Sequence, residues 1–325
     1  MAARLRTTGC LLAMAALCSL ARAQGIADYP NKPIRMLVAQ EAGSAGDVGA
    51  RAIAPALGEA LGQPLVVENR PGAGGALGMQ VAAAAAPNGY TLAAIGSPQM
   101  VLPYVHKNLG YDLIRDFSPI GRYSVSHNAL VVPVSLPVGN VKELVALAKS
   151  KPGQLNIGTA GPGSASHLAG VLFNVLANIE ALVVPYKGGN SAITALVANE
   201  TQYYVAPLQA VLGQVKSGRL KALGVGGDSR APQLPEVPTI AEAGIPAYRS
   251  VGWGGLLVPK GTPAAITARL MEKLAAIIAQ PAVQQQLVKI GVEPGLLLGA
   301  EFEKFMRADL ERFGVAAKAA NLRPE

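Results

Sequence analysis

Short apolar segments alternate with glycine-rich turns and alanine-rich helical segments along most of this chain, and this alternation narrows the folds open to it. The first group of apolar segments covers residues 34–39, 65–67 and 91–95, and the second covers residues 155–157, 182–184, 202–205 and 220–225. Strands that alternate with helices in this way form parallel sheets with helices on both faces. We therefore predict buried strands at these positions and an α/β fold with two doubly wound sheets.

Two more apolar segments, residues 129–133 and 251–258, stand between the two groups and beside Pro or Gly. We expect each to cross from one sheet to the other, which makes the first domain discontinuous. The predicted first domain covers residues 24–127 and 251–325, and the second covers residues 128–250. Apolar residues at helical spacing predict helices over residues 165–176, 191–198, 263–280, 282–290 and 300–320. We expect the last three helices to pack onto the first domain.

The first 23 residues have the pattern of a secretory signal peptide. Arg4 and Arg6 form a basic start, residues 11–20 are mostly apolar, and residues 21–23 read Ala-Arg-Ala, a small-x-small cleavage site. We expect cleavage near Ala23. No later segment offers about 20 apolar residues free of charge, so we expect no membrane insertion of the mature chain.

Charge and cysteine content exclude several classes of protein. The chain has 28 Lys and Arg residues against 20 Asp and Glu residues, and three of the basic residues lie in the predicted signal peptide. This mild positive excess favours small anionic ligands, with a solubilised surface as the alternative explanation. The basic residues are spread too thinly along the sequence to indicate nucleic-acid binding. Cys10 and Cys18 both lie in the signal peptide, so the mature chain has no disulfide and no thiolate metal ligand.

The glycine-rich segment at residues 71–78 looks like a phosphate-binding loop but lacks its defining residues. A P-loop ends its glycine run with Lys and then Ser or Thr, and a dinucleotide-binding motif has Gly where Leu77 stands. We therefore predict no nucleotide cofactor. Because the segment follows the second strand, outside the switch point of the sheet, we expect it to border a ligand cleft and to shape the entry of the next helix.

Loops that follow strands are the candidate binding site, because ligands of open parallel sheets sit beyond the carboxyl ends of the strands. The loop after the first strand contains Ala42, Gly43, Ser44 and Asp47 just before a helix. Bare backbone amides and the positive end of the helix dipole suit a carboxylate there. The alternative for Asp47 is a purely structural role as a helix cap.

Two loops of the second group have the same character. Residues 158–168 combine Thr159 and Ser164 with bare amides at the start of a helix, and His167 follows one turn later. The alternatives are that Ser164 only caps the helix and that His167 is a packed side chain. The loop around Tyr186 offers a ring, a hydroxyl and glycines that admit the close approach of a ligand.

Motifs over nearly the whole mature chain resemble the Bug-type, TctC-like receptors of tripartite tricarboxylate transporters. The matching pieces are residues 29–34, 42–43, 47, 50–51, 67–75 (Val-Glu-Asn-Arg-Pro-Gly-Ala-Gly-Gly), 87–92 (Pro-Asn-Gly-Tyr-Thr-Leu), 111–112, 116–120, 163–164, 167–170, 184–189 (Val-Pro-Tyr-Lys-Gly-Gly), 234–239, 242–244 and 259–263 (Pro-Lys-Gly-Thr-Pro). Each piece alone is weak. Because the pieces occur in the same order along the chain as in members of the family, the resemblance as a whole is strong.

The resemblance implies a type II periplasmic binding fold, in which two domains close over a small carboxylated solute in the cleft between them. Such a receptor works in the periplasm without a cofactor or metal, is not an enzyme, and delivers its solute to membrane permease subunits. We expect a monomer that binds a small organic acid, amino acid or amide. The residues that match binding loops of the family are Ala42, Gly43, Ser44, Asp47, Gly96, Ser97, Pro98, Thr159, Ser164, His167, Tyr186, Gly188, Gly189 and Ala206.

Three departures from the family pattern bear on the ligand. Residues 39–41 read Ala-Gln-Glu where relatives usually have Pro-Phe-Ala. If Glu41 faces the cleft, it repels a second carboxylate and favours an amide, amine or amino acid; if it faces solvent, it has no such effect. Residues 198–206 lack the acidic strand end that relatives often carry, so we expect Tyr204 or Gln209 to reshape that wall. Ser44 replaces a common glycine and adds a hydroxyl.

Two other classes of function stay open. The same fold also permits a receptor that presents its ligand to a periplasmic sensor protein, and sequence does not separate sensing from transport. A periplasmic enzyme has less support, because His106, His127 and His167 lie on different segments. The sequence also offers no His-x-x-x-His pair or carboxylate cluster for zinc.

Overall fold

The computed structural model describes residues 28–161 and 164–324. The predicted signal peptide and its cleavage site lie outside the described residues. The strands are β1 (Ile34–Val38), β2 (Leu65–Asn69), β3 (Thr91–Gly96), β4 (Phe117–Pro133), β5 (Asn156–Thr159), β6 (Leu182–Pro185), β7 (Tyr203–Pro207), β8 (Leu220–Val225), β9 (Val251–Pro259) and β10 (Glu293–Leu298). The α-helices are α1 (Ala45–Leu61), α2 (Ala76–Ala83), α3 (Val141–Ser150), α4 (Ala165–Ala177), α5 (Gly189–Val197), α6 (Leu208–Lys216), α7 (Ala264–Ile278), α8 (Pro281–Lys289) and α9 (Gly299–Ala319).

These strands form one mixed sheet with helices on both faces. The strand order is β2-β1-β3-β9-β4-β7-β5-β6, and β8 and β10 also pair with β4. The strands β1, β2 and β3 are parallel to one another, as are β5, β6 and β7. Between these two groups, β9 and β4 run antiparallel to their neighbours. The predicted α/β fold with two groups of parallel strands is therefore confirmed.

The long strand β4 joins the two groups. Its first part, up to His127, pairs with β9, and its second part, from Asn128, pairs with β7. The sequence predicts a strand only over residues 129–133, because the first part of β4 mixes Gly, Ser and Arg with apolar residues and forms no apolar run. The change of partner coincides with the predicted domain boundary after residue 127. The division into two domains remains a prediction.

The predicted strands β2 and β6 are present, but the prediction that they are buried is wrong. These strands stand at the two ends of the strand order, so each has a neighbour on one side only. Val66 of β2 is 51% exposed, and Leu182 and Val183 of β6 are 59% and 37% exposed. A short apolar run does not reveal whether a strand is central or at an edge.

The last helix, α9, departs from the predicted packing. Phe302 and Met306 in its first half belong to the apolar cluster around β3 and β9. Ala316 and Ala317 near its end belong to a different cluster, formed with β5, β7 and α4. Helix α9 therefore packs against both groups of strands and not against the first group alone.

Across residues 28–161 and 164–324, none of the helices combines the length and the apolar character needed to cross a membrane.

Candidate functional site

The carboxyl ends of the parallel strands in both groups meet near the middle of β4. Gly96 at the end of β3 pairs with Gly254 of β9, and Gly254 pairs with Ser124 of β4. Pro207 at the end of β7 pairs with Asn128 of β4. Ser124 and Asn128 are separated by a strand length of roughly 13 Å. The loops after the strands therefore lie on two sides of one region, which is the candidate site.

Asp47 fixes the loop after β1. Ser44 caps α1, because its Oγ accepts a hydrogen bond from the Asp47 amide at 3.3 Å. One carboxylate oxygen of Asp47 accepts from the Gly43 amide at 2.8 Å. The other accepts from Arg51 Nε at 2.9 Å and from Asn69 Nδ2 at 2.8 Å. Burial tends to raise the pKa of this carboxyl, but the hydrogen bonds from Arg51, Gly43 and Asn69 lower it. Both oxygens are thus engaged within the chain.

Gln40 covers the amino terminus of α1, which the sequence did not indicate. Its Oε1 accepts hydrogen bonds from the Gly46 amide at 3.0 Å and from the Ser44 hydroxyl at 3.1 Å. A Cβ atom at Gly46 would lie 2.2 Å from this oxygen, so the contact depends on glycine at that position. The predicted residues Ala42 and Gly43 are exposed beside it.

The loop after β3 opens with a short 3₁₀-helix, Ser97–Met100. The Gly96 amide donates to Gln99 Oε1 at 2.9 Å, and a Cβ at Gly96 would lie 2.6 Å from the Trp253 carbonyl oxygen. Gln99 is buried, and its Nε2 has no hydrogen-bond partner among the described residues. Of the predicted residues here, Gly96 and Ser97 are buried and Pro98 is exposed.

The glycine-rich segment supports both of these loops. Gly75 has φ +107°, and a Cβ there would lie 2.8 Å from the Ala39 carbonyl oxygen and 2.9 Å from Gln99 Nε2. A Cβ at Gly78 would lie 2.6 Å from the Arg70 carbonyl oxygen and 2.8 Å from Ala39 Cα. Because only glycine permits this approach, the segment fixes the ends of β1 and β3 by close backbone packing.

Hydroxyl groups cluster beside the carboxyl end of β5. Ser164 caps α4 by accepting a hydrogen bond from the His167 amide at 3.2 Å, and its Oγ lies 3.2 Å from Ser166 Oγ. Ser166 Oγ also accepts from the Ala160 amide at 3.1 Å. Burial raises the pKa of Tyr204, and a side-chain hydrogen bond with Ser166 opposes that shift. Ser166 therefore links the Tyr204 hydroxyl to the start of α4; sequence reasoning did not single it out.

Two other predicted residues, Thr159 and Ala206, lie in strands β5 and β7 and are fully buried. Thr159 ends β5, and its Oγ1 has no hydrogen-bond partner in the described parts of the chain. Ala206 pairs with Ala129 of β4 within an apolar cluster. Residues 162–163 of the loop after β5 lie outside the described residues.

Gly188 and Gly189 form the start of α5, and no side chain caps that helix. Gly188 has φ +147° with open space where a Cβ would stand, and a Cβ at Gly189 would lie 3.6 Å from the Tyr204 hydroxyl. The Tyr186 hydroxyl donates to Glu200 Oε2 at 3.2 Å. Burial and the neighbouring carboxylate of Glu200 raise the pKa of Tyr186. The glycines therefore adjoin the hydroxyl cluster, whereas the Tyr186 hydroxyl is directed to Glu200.

The side chain of His167 lines a groove beside α4. Val171 and Asn174 of α4 and Asn178 just after it line the same groove, which has a volume of about 760 Å³ and includes none of the other predicted binding residues. Burial lowers the pKa of His167. A contact between His167 and the ligand stays a prediction. In the described part of the chain, no group of three or more His, Cys, Asp or Glu side chains is placed to hold a metal ion.

Comparison with known proteins identifies the family. The family model described as "Tripartite tricarboxylate transporter family receptor" matches residues 49–322. A UPF0065 protein in the tcbD-tcbE intergenic region of Pseudomonas sp. strain P51 is 35% identical over 283 residues, which cover 87% of this chain and 84% of that protein.

Two solved structures are similar over nearly the same extent. The structure of R. palustris Rpa4515 with adipate has a TM-score of 0.75 at 31% identity, and the match covers 92% of this chain and 100% of that one. MatC (Rpa3494) from Rhodopseudomonas palustris with bound malate has a TM-score of 0.69 at 27% identity, with 89% and 100% covered. The order of motifs in the sequence and these matches agree: the chain belongs to the tripartite tricarboxylate transporter receptor family.

Proposed function

We propose that the chain is a periplasmic receptor that captures a small carboxylate-bearing solute and delivers it to a membrane permease of the tripartite tricarboxylate type. The observation that carries the proposal is the cluster of Ser164, Ser166 and Tyr204 hydroxyls beside the uncapped start of α5. Hydroxyls and free backbone amides at helix starts are suited to a carboxylate. Relatives of the same family have been solved with adipate and with malate, both dicarboxylic acids.

The proposed site lies between two domains. Residues 24–127 and 251–325 supply Ala42, Gly43, Ser44, Gly96, Ser97 and Pro98, and residues 128–250 supply Thr159, Ser164, Tyr186, Gly188, Gly189 and Ala206. A ligand that contacts loops of both domains favours their closure, because it binds the closed arrangement better than the open one. We assign Asp47 a positioning role, because both of its oxygens already hold the loop after β1.

Periplasmic location, transport and the absence of catalysis belong to the same proposal. The basic start, apolar run and small-x-small site within residues 1–23 support secretion through a cleaved signal peptide. The family description names a transporter receptor, which supports a membrane permease as the partner. We therefore expect binding without turnover of the ligand.

The experiment that tests this proposal is a titration of the protein from Gln24 onward with adipate, malate and related carboxylates by calorimetry. A Ser164→Tyr variant fills the start of α4 with a ring, so we expect it to abolish binding. The lost cap costs about 1 kcal/mol of stability, which leaves the fold intact. Ser150→Tyr, at the exposed end of α3, is the matched control and should bind as the wild type does.

Two outcomes would contradict the proposal. Unchanged affinity in the Ser164→Tyr variant would remove the loop after β5 from the site. Steady formation of a product from any bound carboxylate would replace the receptor with an enzyme.

A further inference from the structure

The loop after β1 holds its own substitute for an anionic ligand. Gln40 Oε1 accepts from the Gly46 amide at 3.0 Å and from the Ser44 hydroxyl at 3.1 Å. A backbone amide in the first turn of a helix and a neighbouring hydroxyl are donors that a carboxylate would otherwise use. The amide oxygen of Gln40 therefore stands where one oxygen of a ligand carboxylate would bind to α1.

Three other groups around this helix start also donate within the chain. The Gly43 amide binds Asp47 at 2.8 Å, and the Ser44 amide donates to the Glu41 carbonyl oxygen at 3.1 Å. The Arg51 guanidinium is held by Asp47 Oδ1 and by Asn69 Oδ1, both at 2.9 Å. The cation of this loop is thus already paired with a carboxylate of the chain.

The charge of the loop also disfavours an anion. Asp47 is ionised and is balanced by Arg51, with which it forms an ion pair at 2.9 Å. The carboxylate of Glu41 is exposed next to Gln40 and has no described counter-ion. The formal charge of residues 40–51 is therefore negative, and like charges at close range repel.

The opposite side of the proposed site has a different character. The start of α5 has no side-chain cap, and Gly188 leaves open space there. Ser164 and Tyr204 add hydroxyls, and the loop after β6 includes an exposed Lys187. One side of the site thus keeps the backbone amides of an uncapped helix for a carboxylate, whereas the side formed by Gln40 has used its own donors.

We infer that Gln40 is a specificity-determining residue that makes this receptor select solutes with one carboxylate and a neutral or cationic second end, such as monoamides and amino acids, over dicarboxylates. The inference rests on the proposed function. Gln40 excludes a second carboxylate from the start of α1, and Glu41 adds repulsion. The Gln40 amide group, which is partly exposed, meets the neutral end of the solute.

The test compares dicarboxylates with their monoamides, which differ in one group only. Succinate, glutarate and adipate and the three corresponding monoamides are titrated by calorimetry at pH 7 into the wild type, Gln40→Ala and Gln40→Met. We expect the wild type to bind one or more monoamides at least 10-fold more tightly than the matching diacid. A hydrogen bond to a charged group corresponds to roughly a 10-fold or greater change in affinity. Both variants should therefore bind the diacid about 10-fold more tightly than the wild type and lose the preference.

The variants are chosen so that every result is decisive. Gln40→Met keeps the length of the side chain without its acceptor, so it separates lost hydrogen bonds from an altered loop shape. Gln285→Ala, on the exposed side of α8, is the matched control and should keep the wild-type ratio. A wild-type preference for diacids, or an unchanged ratio in both Gln40 variants, overturns the role of Gln40. If none of the six compounds binds any of the proteins, the proposed function itself fails.

Discussion

At the scale of single residues, the buried carboxylate of Asp47 holds part of the candidate site in place through three hydrogen bonds. It holds Gly43, Arg51 and Asn69, and through them it ties the loop after β1 to α1 and to the end of β2. The sequence left two roles open for Asp47, ligand contact and helix cap. In the structure Ser44 is the cap. Asp47 is the third residue of the helix and accepts a hydrogen bond from the Gly43 amide, just before the cap.

We predict that Asp47→Asn lowers the free energy of unfolding by about 2 kcal/mol. An asparagine offers one acceptor oxygen, and its NH₂ group would face a donor at the second position. Urea denaturation measures the loss. Asp112→Asn is the matched control, because Asp112 accepts from the Ile114 and Arg115 amides through a single oxygen that asparagine retains. An equal loss in both variants would contradict the role given to Asp47.

The same residue predicts a dependence of stability on pH. Its pKa in the folded protein is lowered, so it lies below the value of about 3.9 for an unfolded Asp. The stability contributed by the ionised form is complete above about pH 5 and is lost as the pH falls through the folded pKa. The difference in unfolding free energy between the wild type and Asp47→Asn should therefore narrow below about pH 4. A difference that widens on acidification would refute this assignment.

At the scale of elements, two helical glycines allow opposite predictions from the same substitution. Replacing glycine by alanine in an exposed helix interior stabilises it by up to about 1 kcal/mol. Gly213 in α6 has open space around it, so Gly213→Ala should raise the melting temperature. Gly78 in α2 lies against the backbone of Arg70 and Ala39. Gly78→Ala should therefore lower the melting temperature, because the steric overlap costs about 2 kcal/mol or more. Thermal unfolding of both variants checks the sign, and a stabilised Gly78→Ala would show that the segment does not pack so closely.

The sequence predicts elements well where apolar runs are continuous and poorly where they are not. Residues 220–225 are a strand with the predicted bounds, and the predicted helix over residues 165–176 differs from α4 by one residue. Strand β10 is missed, because Pro294 and Gly295 interrupt it and read as a turn. Its pairing with β4 is irregular at that point. Residues 293–298 form a strand because they pair with β4, and the local sequence contains no information about that partner.

The loops of the candidate site are predictable for a related reason. Small residues after a strand and before a helix mark Gly43, Ser44 and Ser164, and the structure places all three at helix starts. Side-chain contacts across a turn leave no such pattern. The Gln40 contact with Gly46 and the link from Ser166 to Tyr204 depend on the fold of the loops, so only the structure shows them.

At the scale of the whole molecule, two elements run through both groups of strands. Strand β4 pairs with β9 in one group and with β7 in the other. Helix α9 buries Phe302 in one apolar cluster and Ala316 in another. Between these ends, Asp309 accepts a hydrogen bond from Trp253 Nε1 at 2.8 Å. Any movement that closes the proposed cleft must bend the shared strand β4 and keep or remake the contacts of α9.

This arrangement predicts that the two groups of strands unfold together. Trp253 is the only tryptophan of the chain and is packed against Phe302 and Phe305, so its fluorescence reports on the first group. Ala316→Asp places an unpaired charge in the second cluster, where Ala316 is 1% exposed, and should destabilise it by about 3 kcal/mol.

If α9 and β4 couple the clusters, the Trp253 signal and the circular dichroism signal of Ala316→Asp shift to lower temperature by the same amount. Coincident transitions are the signature of a single cooperative unit. The neighbouring Val315 is 52% exposed, so Val315→Asp supplies the same charge on the same helix and should leave both signals nearly unchanged. A Trp253 transition that stays at the wild-type temperature in Ala316→Asp, while the circular dichroism shifts, would show that the two groups unfold independently.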